Sequence, residues 1–362
     1  MARSEVRGSR RRQRFAGPAL AVAAVAVQAQ PLPVIDMHLH ASDPQSYGGP
    51  QTVCTNRDAV SFPPVDPRET ITVQKTAVCA RPLMSVQGGQ QNARRTGELM
   101  VRHNVYGVLD VTRDEGLDAS LAHAQAWEAH APGRYWVALD FSDANLPPLD
   151  ALEAQVRQGR IRLFAEVSPQ YDGELATAER LAPYFALAER LDVPVGLHLG
   201  EGPPGGTHVM PGSRYSPAAG RPLDIDPLLR RHPKLRVYVM HYGSPLVEEM
   251  IALLYAHPQL YVDVAQNNWG FPRAHFYRQL RQLVDAGFAQ RILFGSDQMI
   301  WPDTLPIAIE TIEQAPFLTA EQKRDILYHN AARFLRLSEA QIAAHHGGAP
   351  APRNDTPTGG AR

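Results

Sequence analysis

Eight short runs of β-branched and aliphatic residues, separated by stretches with helical periodicity, constrain this chain more than any other feature. The runs fall at 34–37, 105–111, 135–139, 161–167, 193–199, 235–241, 260–264 and 291–297. A strand that is apolar along its whole length has both faces covered, the condition of a parallel sheet flanked by helices. Between the runs, residues 118–130, 178–191, 245–256 and 274–286 place apolar side chains three and four apart, the period of an amphipathic helix. Thr319-Ala320-Glu321-Gln322 carries a capping-box signature and opens a last helix running to Leu335. Strands alternating with helices build a closed barrel or a large open sheet. Eight is the closure number of the (β/α)8 barrel, which takes about 250 residues and more with insertions. The 362-residue chain is therefore read as an α/β protein whose residues 33–340 form a (β/α)8 TIM barrel.

Two connections are too long to be turns, residues 41–90 after the first strand and 200–222 after the fifth. Both leave C-terminal strand ends, the face on which barrels of this kind carry their active sites, and long loops in a compact domain are commonly functional. The first loop contains both cysteines, Cys54 and Cys79. In an exported protein they could close a disulfide; the alternative is two unrelated thiols. The N-terminus has the layout of a secretory signal peptide over residues 1–29: Arg7, Arg10, Arg11, Arg12 and Arg14, an Ala- and Val-rich stretch, then Ala29. The arginines resemble a twin-arginine leader, although Phe15 is off the usual spacing. A periplasmic or secreted location is expected, with a disordered basic arm on a cytoplasmic enzyme as the alternative. Residues 345–362 are rich in Gly and Pro and read as a disordered tail, with His345 and His346 outside any organised site. A formal net charge of -1 gives no footprint for nucleic acid, and no membrane association is expected once the leader is removed.

The chemistry is concentrated at strand ends. His38 and His40 are two apart after the first run, and in extended chain such residues point the same way. Glu166 lies near the end of the fourth run, His198 near the end of the fifth, His241 at the end of the sixth and Asp297 at the end of the eighth. If the strands are parallel neighbours in a barrel, all six project from one rim, where imidazoles and carboxylates suit a divalent cation. Each position alone is weak, since polar rim residues often do no more than satisfy loop backbones. Tyr171, Asn267 and Trp269 follow strand ends on the same rim and are candidate substrate contacts. Trp301 reads equally well as a loop anchor, and Arg113 as a solvated or loop-tethering arginine.

Ile35-Asp36-Met37-His38-Leu39-His40, Gly196-Leu197-His198, Val239-Met240-His241 and Leu293-Phe294-Gly295-Ser296-Asp297 resemble, in order, the metal-binding signatures of the amidohydrolase superfamily. The closer similarity is to the amidohydrolase-related group that includes aminocarboxymuconate-semialdehyde decarboxylase-like enzymes. The resemblance implies a divalent metal, most readily zinc, with one or two ions per chain. His38, His40 and Asp297 would hold one ion, His198 and His241 a second, with Glu166 bridging where many members use a carboxylated lysine. In the decarboxylase-like relatives a single ion is held by the equivalents of His38, His40, His198 and Asp297, leaving His241 as acid or base. The ion lowers the pKa of bound water so that hydroxide exists near neutral pH, and Asp297 would carry the proton to the leaving group. The resulting expectation is a hydrolase of a small-molecule amide, lactone or ester. The alternative is a non-oxidative decarboxylase of an aromatic or unsaturated acid, and a non-catalytic ligand-binding barrel is disfavoured because every group needed for catalysis is present. The resemblance also suggests a homodimer.

Overall fold

Period-two alternation, broken in the first run by a register shift between Asp36 and Leu39, divides the interior of this protein into two cores. The computed structural model describes Met1 and residues 31–111, 116–142, 145–210, 212 and 214–348. The expected leader and Arg113 lie outside the described residues. Eight strands follow in chain order: β1 (Val34–His40), β2 (Val105–Val111), β3 (Tyr135–Phe141), β4 (Leu163–Val167), β5 (Val195–His198), β6 (Val237–Met240), β7 (Leu260–Asp263) and β8 (Ile292–Leu293). Each pairs in parallel with the next. β8 is only two residues long, and backbone bonds beyond it join the last strand to the first: Met37 N–H donates to the Phe294 carbonyl at 2.9 Å and Asp297 N–H to the His38 carbonyl at 2.7 Å. These bonds bring the sheet round to its starting edge.

On one face of the strands Ile35, Met37, Ala165, Tyr238, Met240 and Leu293 fill the barrel interior. On the other, Leu39, Leu109, Phe141, Phe164, Val195 and Val239 pack against the surrounding helices. The interior tapers where Gly196 faces Tyr238. A Cβ at Gly196 would stand 2.5 Å from the Tyr238 ring, so glycine there lets the tyrosine span the barrel and donate its hydroxyl to the Met37 carbonyl at 3.0 Å.

The anticipated helices form at Leu117–Glu128, Ala182–Leu191, Val247–Ala256 and Arg273–Asp285. The Thr319 capping box is present in both directions: the Thr319 hydroxyl accepts from Gln322 N–H at 3.1 Å, and the Gln322 side chain accepts from Thr319 N–H at 2.9 Å. That helix is interrupted by a π-helical stretch, Asp325–His329. Two loop readings gain definition. Cys54 and Cys79 are joined in a disulfide, and the same loop carries an antiparallel pair, Thr52–Val53 with Leu83–Met84. The expected disordered tail is corrected at its start: His345 ends a capped helix, Glu339–His345, and is buried. Ser338 and Gln341 form the capping box that nucleates this helix, so the chain stays ordered into a segment whose Gly and Pro content had marked it as coil. Among the described residues no helix is long and apolar enough to cross a membrane.

Candidate metal centre

The six expected ligands converge at the C-terminal mouth. His38 and His40 share a side at the irregularity of β1 between Asp36 and Leu39, and their Nε2 atoms stand 3.1 Å apart. Glu166, on β4, reaches between two groups of imidazoles. Its Oε2 lies 3.6 Å from His38 Nε2 and 3.5 Å from His40 Nε2, while its Oε1 lies 3.5 Å from His198 Nε2. Asp297 Oδ1 lies 3.1 Å from His40 Nε2 and 3.9 Å from His38 Nε2. The His241 ring centroid is 4.8 Å from that of His198 and 5.2 Å from that of His38.

The orientation of the four imidazoles is set from behind. His38 Nδ1 pairs with Asp263 Oδ2 at 3.1 Å, His40 Nδ1 with Asp110 Oδ2 at 3.2 Å, His198 Nδ1 with Gln170 Oε1 at 3.0 Å and His241 Nδ1 with the Ala265 carbonyl at 3.1 Å. Each of these partners is an acceptor, so the network assigns the proton to Nδ1 and leaves the Nε2 lone pair facing the shared space, the arrangement that supports metal-ligating histidines. The backbone is constrained as well. His241 and Asp297 are non-glycine residues at φ 55 and φ 49, a left-handed conformation that costs on the order of 1–3 kcal/mol. Asp263 Oδ1 accepts from His241 N–H at 2.8 Å, and the His38 carbonyl accepts from Asp297 N–H at 2.7 Å. Asp36 Oδ1 accepts from the backbone of both His38 and Ser296, at 3.0 and 2.9 Å, tying the first ligand strand to the last.

The electrostatics of the cluster call for positive charge. Burial disfavours protonated His38 and His40, yet the carboxylates around them outweigh it and hold both well above the usual imidazole range: Asp297, Asp263 and Glu166 for His38, and Asp110 and Asp297 for His40. Burial likewise opposes ionisation of Glu166, but His198, His38 and His40 hold its carboxyl far below the carboxylate range. Asp297 is lowered in the same way by His38, His40 and His241. Burial carries His198 down to about 4 despite Glu166. The inward Nε2 atoms of His38 and His40 stand 3.1 Å apart, within reach of one shared cation, and Asp297 Oδ1 faces the same space. The donor set fits a divalent metal. Three overlapping groups could each hold an ion: His38, His40 and Glu166; His38, His241 and Asp297; Glu166, His198 and His241.

The remaining candidates separate. Tyr171 reaches the centre, with its hydroxyl 3.2 Å from His198 Nε2. Burial, reinforced by Glu166 and Asp297, keeps that hydroxyl well above the usual phenol range, so it remains a donor. Asn267 and Trp269 are buried and spend their donors on the backbone, on the His241 carbonyl (3.4 Å) and the Ser296 carbonyl respectively. These bonds position the ligand-bearing segments. Trp301 donates to the Gln51 carbonyl at 3.0 Å and anchors the first loop. Asp110, Asp263, Gln170 and Asp36 escaped the sequence reading. For Asp110 and Asp263 a signal was there, because an acid inside a strand buried on both faces requires a partner.

Residues 35–337 match the family described as Amidohydrolase. No curated protein sequence matches the chain. Among solved structures, a probable 2-pyrone-4,6-dicarboxylic acid hydrolase from Acinetobacter baumannii is similar at 16% identity, covering 84% of this chain and 100% of its own, with a TM-score of 0.50. 5-Carboxyvanillate decarboxylase from Sphingomonas paucimobilis is similar at 13% identity over 85% of this chain and 100% of its own, TM-score 0.50. An uncharacterised TIM-barrel protein from Bordetella bronchiseptica shares 21% identity over 69% of this chain and 82% of its own, TM-score 0.50. These likenesses establish the barrel fold.

Proposed function

Since this chain belongs to the amidohydrolase family, we propose that it is a metal-dependent hydrolase of a small-molecule amide, lactone or ester, working with two divalent ions. The observation that carries the reading is the position of Glu166. Its two oxygens face different imidazoles at 3.5–3.6 Å, His38 and His40 on one side and His198 on the other, as a carboxylate shared by two cations requires. His38, His40 and Asp297 would hold one ion, and His198 and His241 the second. The mixed nitrogen and oxygen donors favour zinc, with manganese as the rival. When bound, the ions supply Lewis acidity toward water and toward the substrate oxygen.

The chain's own groups do the rest. Asp297, whose carboxyl His38 and His40 hold ionised, would take the proton through the oxygen not spent on the ion and return it to the leaving group. The Tyr171 hydroxyl, held protonated beside His198, donates to the substrate oxygen. Asp263, Asp110, Gln170 and the Ala265 carbonyl keep the imidazoles from turning. The arginine-rich leader and the Cys54–Cys79 disulfide support an exported, periplasmic or secreted protein, since such bonds persist in oxidising compartments.

Elemental analysis of the purified chain, with a panel of lactones, esters, amides and aromatic acids, tests the assignment. About two divalent ions per chain are expected, falling to about one in Glu166→Ala, together with hydrolysis of at least one panel member. A single ion that Glu166→Ala leaves in place, with carbon dioxide released from an aromatic acid, overturns it in favour of a decarboxylase.

A further inference from the structure

Three loops leaving the C-terminal ends of β1, β5 and β7 line a cavity of about 200 Å3. Val53, Phe62 and Val78 come from the first loop, Pro204 from the second, and Gln266 and Phe271 from the third, with the Cys54–Cys79 disulfide in the wall. No described residue lining the cavity carries a charge. Phe62 and Phe271 meet edge to face at 6.4 Å. Phe62 and Val78 are 47% and 37% exposed, so the apolar lining continues to an open rim. The walls are tied to one another: the Thr76 hydroxyl donates to the Pro204 carbonyl at 2.9 Å, and the Asn56 side chain to the Asn268 carbonyl at 2.7 Å.

The cavity adjoins the catalytic groups through one residue. Gln266 lines it, and its segment is bonded to two of the ligand-bearing segments. The preceding residue, Ala265, supplies the carbonyl that holds His241, and Gln266 N–H donates at 3.3 Å to the carbonyl of Ser296, the neighbour of Asp297. Gln266 adopts φ 57 to do this, a strained conformation of the kind found where a site dictates the backbone. An engineered cavity of about 150 Å3 lined by apolar side chains holds benzene, so 200 Å3 accommodates a six-membered ring or a short alkyl branch.

We propose that this cavity is the subsite for an uncharged aryl or alkyl substituent of the substrate. The inference rests on the hydrolase reading and narrows it to amides, lactones or esters bearing such a group near the scissile carbonyl. A carboxylate or amine at that position would be desolvated against apolar walls with no counter-charge, which disfavours it strongly.

The test has two arms on the full mature chain. In the first, fluorobenzene is titrated and followed by 19F line broadening. Saturable broadening is expected, lost in Val78→Asp and weakened in Phe62→Ala, but kept in Asp297→Asn. Absent binding, or binding that the Val78 and Phe62 variants leave unchanged, overturns the proposal. In the second, kcat/KM is compared for methyl phenylacetate and methyl acetate. A preference of at least about tenfold for the phenyl ester is expected, the span one well-filled apolar subsite gives, collapsing toward unity in Val78→Asp. Turnover of both esters without that preference, or equal loss on both in the variant, also overturns it. If neither ester is hydrolysed by wild type, the hydrolase reading fails on this pair and the binding arm alone decides the cavity. A rim that instead covers a second copy of the chain would show as a dimer by light scattering that Val78→Asp dissociates, with no fluorobenzene binding.

Discussion

The two ends of the barrel both bury histidine, and they do opposite things with it. At the floor, His345 stacks on Tyr106 with ring centroids 3.6 Å apart, and its Nδ1 pairs with the Tyr328 hydroxyl at 3.0 Å. Burial, with His346 and Arg134 nearby, pushes it down to about 4. At the mouth, His198 is carried to the same value by burial, but its Nδ1 faces an amide oxygen and its Nε2 faces Glu166. Depressed basicity therefore does not distinguish a ligand from a plug. The distinction lies in where the second nitrogen points and whether carboxylates share that space. The floor imidazole is spent on a phenol and an aromatic stack, while the mouth imidazoles are held from behind and converge.

The largest expected break in that comparison is kinetic. Asp297→Asn removes the proposed proton acceptor and should lower kcat about a thousandfold on whichever substrate the panel identifies, whereas His345→Phe should leave kcat within about twofold. Comparable losses in both would erase the difference between the ends.

Next comes stability. Stripping the metal with a chelator should lower Tm by about 5–10 °C, as for a ligand at roughly a hundred times its dissociation constant on a large domain. His345→Phe should shift the loaded and stripped forms alike; an unchanged Tm on chelation would argue that the mouth holds no ion. A third measurement sharpens the boundary of the mouth. Reducing Cys54–Cys79, which closes a loop with a sequence separation of 25, removes about 3.5 kcal/mol of loop-closure stabilisation in the chain-entropy account. A melting temperature lower by a few degrees is expected with dithiothreitol, and unchanged melting with two thiols titrated would show that the loop is held by packing alone.

The smallest effect belongs to the floor. His345 titrates lower in the folded protein, about 4, than its ordinary 6.5. Between those values the unfolded chain binds the extra proton, so stability is complete above about pH 6.5 and declines as pH falls toward 4. In the metal-loaded protein, His345→Phe should flatten the slope of Tm against pH in that window by a few degrees overall. An identical slope would mean that the stacked ring does not carry the effect.

Much of this site was legible before any coordinates. Buried parallel strands show themselves as continuous apolar runs, and His38, His40, Glu166, His198, His241 and Asp297 stood at the ends of those runs, so topology alone required them to meet. The limits were equally physical. Strand boundaries blurred because β8 keeps only Ile292–Leu293 in the ladder and closes through backbone bonds beyond it. Composition does not reveal that Ser338 caps a helix whose last residue, His345, has an aromatic stack to enter.

Local pattern, then, determined the fold class and the roster of ligands, since both follow from periodicity and from which residues occupy strand ends. Only the tertiary structure decided which way each imidazole faces, that Asp110, Asp263 and Gln170 stand behind them, that Asn267 and Trp269 bond to backbone, and that three distant loops close an uncharged cavity at the rim. Those properties depend on contacts between residues far apart in the chain, and the free energy of such contacts is set by geometry that no single segment contains.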